Sequence, residues 1–106
     1  MVTRFDVYLV NLDDEPSKDA KNTRPCVVIS PDEMNRNIAN VIIAPLSAGG
    51  SSYPTRVPVN VLNSERLVIL DQIRTVDKIR LVKKVGEVDV TERLAILKCL
   101  ADLFAQ

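Results

Sequence analysis

The stretch Arg24-Pro25-Cys26-Val27-Val28-Ile29-Ser30-Pro31 and the later stretch Val41-Ile42-Ile43-Ala44-Pro45 each contain a continuous apolar run bounded by proline. Runs of this length between breaking residues are typical of central, buried strands. Between them, Pro31 predicts a short helix over residues 32–34, because proline suits a first helical turn and acidic residues suit its positive end. Residues 35–37 are expected to close that helix.

Four other segments have the composition of short strands. They are rich in β-branched, apolar and aromatic residues, and turn-forming residues bound them. Pro58 lies within one of them and restricts it to a sheet edge, because proline cannot donate a ladder hydrogen bond. A long polar loop is expected at residues 11–22. The four segments are residues 5–10, 55–59, 67–70 and 85–88.

The end of the chain predicts a helix. Asp89, with Glu92 three residues later, is a capping signature ahead of an apolar face that runs to Phe104. That face is wider than one stripe, so we expect the helix to pack on the sheet and to contact a second surface, such as another subunit. Five or six short strands and one such helix predict an α+β domain with a strongly curved antiparallel sheet or small barrel.

Composition limits the function classes. A chain of 106 residues, 46% of them apolar, is expected to form a single domain over residues 1–106. No apolar run is long enough to span a bilayer and no leader pattern is visible, so we expect a cytoplasmic protein with no membrane partner. Cys26 and Cys99 lie far apart in apolar segments and are predicted to be buried free thiols.

The chain contains no histidine. This removes the commonest general base near neutral pH and a common metal ligand, so any catalysis must use other groups. The glycine spacings of phosphate-binding and dinucleotide-binding loops are also absent, so we expect no cofactor. The formal net charge is zero, which by itself argues against a nucleic-acid partner. The charges are nevertheless unevenly spread, and residues 72–84 carry five cations against one acid, which predicts a basic surface for electrostatic steering.

Arg24 and Ser47 are the first candidate site residues. Arg24 opens an apolar strand at the mouth of a loop, where its guanidinium could bind a phosphate. The alternative is an arginine that pairs with Asp19 or another early acid in a solvated loop. Ser47 ends the apolar run of residues 41–46 and begins a glycine-bearing loop, where the backbone can approach a substrate closely; the alternative is an ordinary loop serine.

Two further segments combine groups that suit RNA. Tyr53-Pro54-Thr55-Arg56 offers an aromatic ring for an unpaired base and a guanidinium for phosphate. Asp71-Gln72-Ile73-Arg74-Thr75 places carboxylate, amide, guanidinium and hydroxyl groups within one short segment that directly follows a strand. A salt bridge at the end of that strand explains its charges equally well.

Taken in order, these segments resemble the MazF/PemK family of toxins. The order and spacing of the motifs over residues 4–104 carry the resemblance, since each motif alone is common. The motifs are Phe5-Asp6-Val7-Tyr8-Leu9-Val10, Thr23-Arg24-Pro25-Cys26-Val27-Val28-Ile29-Ser30, Asn35-Arg36, Ile42-Ile43-Ala44-Pro45-Leu46-Ser47, Tyr53-Pro54-Thr55 and Asp71-Gln72-Ile73-Arg74-Thr75-Val76-Asp77-Lys78.

The resemblance implies a barrel related to the SH3 fold with a C-terminal helix, in a homodimer whose groove takes single-stranded RNA or the tail of a MazE-like antitoxin. It also implies metal-independent cleavage by the substrate's own 2′-hydroxyl, which leaves 2′,3′-cyclic phosphate and 5′-hydroxyl ends. Arg24 matches the family's catalytic arginine, and Ser47 stands where relatives usually have threonine. The candidate RNA contacts are Asn35, Arg36, Tyr53, Thr55, Arg56, Gln72 and Arg74.

This chain departs from the family pattern at two places. Some relatives have an arginine two residues before the acid that matches Asp71, and this position is Ile69 here. Relatives often carry a Gly-x-Glu loop where this chain has residues 15–22. Two alternatives share the fold: a gyrase-poisoning toxin, whose members use a C-terminal tryptophan that this chain lacks, and a non-catalytic module that binds RNA or protein.

Overall fold

The computed structural model of the protein describes residues 1–13 and 22–105. Within those ranges it contains seven strands, two α-helices and two single-turn 3₁₀ helices. The strands are β1 (Asp6–Asn11), β2 (Thr23–Val28), β3 (Asn40–Ser47), β4 (Arg56–Val61), β5 (Ser64–Ile69), β6 (Arg74–Asp77) and β7 (Leu81–Glu87). The helices are α1 (Asp32–Asn37) and α2 (Val90–Phe104), with 3₁₀ turns at Leu70–Gln72 and Lys78–Arg80.

The strands form one strongly curved antiparallel sheet in the order β4-β5-β3-β2-β1-β7, with β6 also paired to β3. One edge of β3 changes partner along its length, pairing with β6 at residues 40–43 and with β5 at residues 46–47. Its other edge pairs with β2 at residues 43–45. The predicted α+β fold is therefore confirmed, and the edge position expected from Pro58 is that of β4.

Several predicted boundaries were wrong, and β5 and β7 begin three and four residues earlier than expected. β3 continues through Pro45 to Ser47, although Pro45 was expected to end the strand. Pro45 has no backbone N–H to donate, but it lies between the segment of β3 that pairs with β6 and the segment that pairs with β5. No hydrogen bond to either strand is therefore lost at this position. Helix α1 continues through Asn37, whereas residues 35–37 were expected to close it.

Helix α2 packs on the concave side of the sheet through one face. Ile96 is fully buried with Val7 and Leu70 in a core cluster between the helix and the strands. The carboxylate of Asp89 caps the helix by accepting the N–H of Thr91 at 3.1 Å, as predicted.

The second residue of the predicted capping pair has a different role. Glu92 does not complete a capping box but accepts the backbone N–H of Asn60 at 2.9 Å. Since Asn60 lies in β4, this contact joins the first turn of α2 to the edge strand. The long loop predicted after β1 falls mostly on residues 14–21, which lie outside the described residues.

Candidate functional site

The ends of three strands and the middle of a fourth surround one cleft with a volume of about 460 Å³. β1 ends beside it, β2 and β6 begin beside it, and β3 passes along it. We call it the arginine cleft, and its lining residues are Leu12, Asp13, Asn22, Arg24, Pro45, Gln72 and Arg74. Three of the predicted site residues, Arg24, Gln72 and Arg74, therefore come together.

The strand register explains why the two arginines meet. Pro45 of β3 pairs with Cys26, two residues from Arg24, and Ile43 of β3 pairs with Arg74. The arginines thus approach β3 from its two opposite edges. Both side chains are exposed. Neither guanidinium forms an ion pair, with a nitrogen within 4 Å of a carboxylate oxygen, to any described residue. Two cations that form no ion pair with a described residue make this cleft a site that can attract an anion.

The thiol of Cys26 lies behind this cleft. It is fully buried, and burial raises its pKa to about 12, although the positive charges of Arg74 and Arg24 act in the opposite direction. The prediction of a buried free thiol is confirmed for Cys26, whereas Cys99 is free but only partly buried. An un-ionised thiol is a poor nucleophile, so Cys26 acts as a small apolar residue beneath the arginines.

The end of β1, which lies beside the start of β2, forms another part of the cleft wall. Asn11 is fully buried, and its Oδ1 accepts the backbone N–H of Asp13 at 3.1 Å. The Arg80 guanidinium donates to the carbonyl of Asn11 at 3.2 Å and to the carbonyl of Asp13. The backbone that carries Asp13 is therefore held on both sides. Sequence reasoning did not select Asp13 or Asn22, whose only signal is that they flank the β1–β2 loop.

Ser47 is not among the described residues that line the arginine cleft. It ends β3, and its hydroxyl donates to the Gly49 carbonyl at 2.5 Å. That bond holds the start of a loop in which Gly50 adopts a φ of +115°, a value that favours glycine. The antiparallel register of β2 and β3 ends at Cys26 and Pro45; continued by two residues, it would set Ser47 opposite Arg24.

A second group of predicted residues gathers around Asp71, and we call it the Asp71 cluster. Its members are Tyr53, Thr55, Arg56 and Asp71. The Asp71 carboxylate accepts from the Thr55 hydroxyl at 2.9 Å and from Arg56 Nε at 3.4 Å. The Thr55 hydrogen bond, with a smaller contribution from Arg56, lowers the pKa of Asp71. The Arg56 guanidinium lies over the Tyr53 ring, 5.9 Å from its centre.

The Asp71 cluster and the arginine cleft are neighbours in the chain as well as in space. Asp71 and Gln72 share a 3₁₀ turn, and Gln72 lines the cleft. Tyr53 is 62% exposed, which leaves its ring free to stack on an unpaired base. The alternative of a strand-end salt bridge accounts for Asp71, which pairs with Arg56, but not for Arg74, which forms no ion pair with any described residue.

Asn35 and Arg36 lie in α1, away from both groups. Asn35 is 2% exposed, its Oδ1 accepts the Ser30 hydroxyl at 2.5 Å, and its Nδ2 donates to the Ser30 carbonyl at 2.9 Å. These bonds tie α1 to the end of β2, and they leave the Asn35 amide little access to a base edge. Arg36 is exposed in the last turn of the helix.

Three cations of the predicted basic stretch, residues 72–84, form contacts within the fold. Lys78 donates to the carbonyl of Asn35, and Arg80 holds the end of β1 as described above. Lys84 pairs with the buried Asp6 at 3.1 Å. Lys83 is exposed in β7 and forms no ion pair with any described residue.

Comparison with known proteins identifies the family. Residues 3–104 match the family of PemK-like, MazF-like toxins of type II toxin–antitoxin systems. This chain belongs to that family. Over 90 residues it is 34% identical to a protein named endoribonuclease MazF from Staphylococcus epidermidis, covering 79% of this chain and 75% of that protein.

Solved structures of toxins have the same fold as this MazF-like chain. An endoribonuclease from a mycobacterial species, solved in complex with its cognate antitoxin, superposes with a TM-score of 0.81 at 25% identity, covering 96% of this chain and 93% of that one. A MazE–MazF structure from Deinococcus radiodurans gives a TM-score of 0.79 at 19% identity, with 99% and 96% covered. No helix in the described ranges is long and apolar enough to cross a membrane.

Proposed function

We propose that this chain is the toxin of a type II toxin–antitoxin pair, a single domain over residues 1–106 that cleaves single-stranded RNA in the cytoplasm. The observation that carries the proposal is the pair of arginines, Arg24 and Arg74, which line one cleft and form no ion pair with any described residue. RNA supplies the anion that such a cleft binds, in the form of its phosphates. The name of the Staphylococcus epidermidis relative, endoribonuclease MazF, supports the same activity.

The proposed reaction is attack by the substrate's own 2′-hydroxyl on the adjacent phosphorus, which leaves a 2′,3′-cyclic phosphate and a 5′-hydroxyl. This reaction needs negative charge to be stabilised as the phosphorus becomes five-coordinate, and a guanidinium meets that need with a planar set of donors. Arg24 carries this role in the proposal. The chemistry requires no metal and no histidine, and the chain has no histidine.

RNA recognition would use both groups of residues. Gln72 and Arg74 in the cleft are proposed to contact the nucleotides at the cut, and the Asp71 cluster is proposed to bind a neighbouring nucleotide. In that cluster, Tyr53 would stack on a base while Arg56 meets its phosphate. The exposed Arg36 would contact the strand further away. We leave Asn35 out of this set because its side chain is buried against Ser30.

Ser47 has a supporting role in the proposal. Its hydroxyl donates to Gly49, and continuing the register of β2 and β3 two residues beyond its last pair would set Ser47 opposite Arg24. From there it can hold the loop after β3 and turn its hydroxyl towards a phosphate when RNA binds. The threonine of its relatives adds a methyl group, which makes the side chain stiffer than that of serine.

The working unit is proposed to be a homodimer. Helix α2 carries a stripe of apolar residues spaced alternately by four and three positions, the pattern of paired helices; four of them are exposed, and Leu97 is half-buried against the core. Three of them, Val90, Leu94 and Phe104, are 71–75% exposed. We call this the α2 stripe, and its members are Val90, Leu94, Leu97, Ala101 and Phe104. A second subunit that covers it would remove an exposed apolar patch from water.

The cognate antitoxin is proposed to be a MazE-like protein with an acidic tail. Carboxylates can occupy the arginine cleft in place of phosphates, so one site would serve both substrate and inhibitor. The mycobacterial structure, whose toxin was solved with its cognate antitoxin, supports this kind of partner.

The test is to incubate the purified protein with a long, lightly structured RNA in excess EDTA and to analyse the ends of any fragments. We expect fragments with 5′-hydroxyl and cyclic-phosphate ends, and loss of cleavage when the product of the neighbouring gene is added. Intact RNA after incubation with folded, dimeric protein would contradict the nuclease and favour a non-catalytic binding module.

A further inference from the structure

The proposed cleavage needs a group that takes the proton from the 2′-hydroxyl, and the chain has no histidine to do so. We propose that Asp13 is this catalytic base, an inference that rests on the proposed ribonuclease function. Among the described residues that line the arginine cleft, Asp13 is the one with a carboxylate, a group that can accept a proton. Asn22 and Gln72 offer only amides, which are not bases.

The position of Asp13 suits that role. Its backbone N–H is held by the buried Asn11 side chain at 3.1 Å, and its carbonyl is held by the Arg80 guanidinium. Because Val10 pairs with both Arg24 and Leu81, the end of β1 lies directly between the arginine of β2 and the turn that carries Arg80. The backbone of Asp13 is therefore fixed in the cleft by contacts with its neighbours.

The backbone N–H and carbonyl of Asp13 are hydrogen-bonded, whereas its carboxylate has no partner among the described residues. It forms no hydrogen bond or ion pair with any described residue, including the two arginines that line the same cleft. A carboxylate that served only to neutralise Arg24 or Arg74 would be paired with one of them. Instead, the described part of the cleft holds two guanidinium groups and one carboxylate that form no ion pair with one another.

The other polar groups near the cleft already have partners. The Asp71 carboxylate accepts from Thr55 and Arg56, and these bonds stabilise its charged form, as its lowered pKa shows. Such a carboxylate is a weaker base than an unbonded one. The Ser47 hydroxyl is bonded to the Gly49 carbonyl. By elimination among the described residues, proton transfer falls to Asp13.

The step balances without a co-reactant. With the phosphate bound by Arg24 and Arg74, the 2′-hydroxyl gives its proton to the Asp13 carboxylate while its oxygen forms a bond to phosphorus. The bond from phosphorus to the 5′ oxygen breaks, and that oxygen takes a proton from solvent. Asp13 then returns its proton to solvent, so the enzyme ends as it began.

The experiment measures single-turnover cleavage of a short RNA by the full chain as a function of pH. Asp13→Asn keeps the size of the side chain and removes the base, so we expect a rate lower by about 10² to 10⁴. The rise of rate with pH across the acid range should also disappear. Asp13→Glu should retain that rise. The control is Glu33→Gln, which removes an exposed carboxylate of α1, outside the cleft, and should leave rate and profile unchanged.

The charged groups on the neighbouring elements are Arg24 on β2, Arg74 on β6 and Arg80 on the 3₁₀ turn. The affinity for a non-cleavable 2′-deoxy strand distinguishes a catalytic base from a residue that only maintains the structure of the cleft. Asp13→Asn should bind it at least as well as the wild type, since the change removes a negative charge from a phosphate site.

Three results would overturn the inference. If the wild type cleaves but Asp13→Asn stays within about threefold of it and keeps the acid-range rise, Asp13 is not the base. If the variant cleaves at full rate with an altered sequence preference, Asp13 contacts a nucleobase of the RNA and is not the catalytic base. If the wild type does not cleave at all, the proposed function itself fails and the inference fails with it.

Discussion

Replacing Arg24 by alanine should separate activity from stability in this protein. The Arg24 side chain is exposed and forms no hydrogen bond or ion pair with any described residue. Its removal should therefore change the free energy of unfolding by no more than about 0.5 kcal/mol. The same change removes a preorganised donor from the proposed transition state, which typically costs about 10² to 10³ in rate, or roughly 2.7–4 kcal/mol of activation free energy.

The assay is single-turnover cleavage of an RNA of known cut site with protein in excess, alongside urea unfolding of each variant. Arg24→Lys should give an intermediate rate, because an ammonium keeps the charge but not the planar pair of donors. Lys83→Ala is the matched control, since it removes an exposed cation of β7 that lies outside the cleft.

The reasoning about Arg24 is refuted by either of two results. One is Arg24→Ala that cleaves at close to the wild-type rate with the same ends. The other is Lys83→Ala that loses as much activity as Arg24→Ala, which would show that general positive charge, and not a placed guanidinium, supports cleavage.

Three other outcomes are expected. Asn35→Ala should lower the free energy of unfolding by about 1–3 kcal/mol in urea titrations, because it leaves buried partners unbonded, and it should not alter the cleavage sequence; altered base preference with unchanged stability would make Asn35 a reader. Leu94→Glu should shift the protein from dimer to monomer in light scattering, while Ala95→Glu, beside the α2 stripe, should not; equal behaviour of the two would place the interface elsewhere. Burial keeps the Cys26 thiol protonated to about pH 12, so the unfolded thiol ionises first and stability should fall as pH rises above 9. That fall should be shallower in Cys26→Ala, and equal slopes would contradict the burial of the thiol.

Much of this fold could be predicted from local pattern. The apolar runs around Val27 and Ile43, the edge position implied by Pro58 and the cap at Asp89 all follow from periodicity and the backbone chemistry of single residues. Arg24 could be selected for the same reason, because it stands next to a proline at the start of a buried strand. These features depend only on near neighbours in the chain, which a sequence displays directly.

The rest was decided by tertiary structure. Asn35 was expected to help close α1 and to contact RNA, but it is buried and bonded to Ser30. Glu92 was expected to complete a capping box, but its carboxylate accepts the backbone N–H of Asn60 in β4. In both cases the partner comes from another element, and its position depends on strand register, which local pattern does not encode.

The sequence by itself determined the fold class, the number of buried strands to within one or two, and the presence of an arginine at a strand mouth. Only the tertiary structure brought Arg24 and Arg74 to opposite edges of β3 and placed Asp13 in the cleft that they line. The physical reason is that hydrophobic periodicity is short-range, whereas a cleft is assembled from strand ends that pair across dozens of intervening residues.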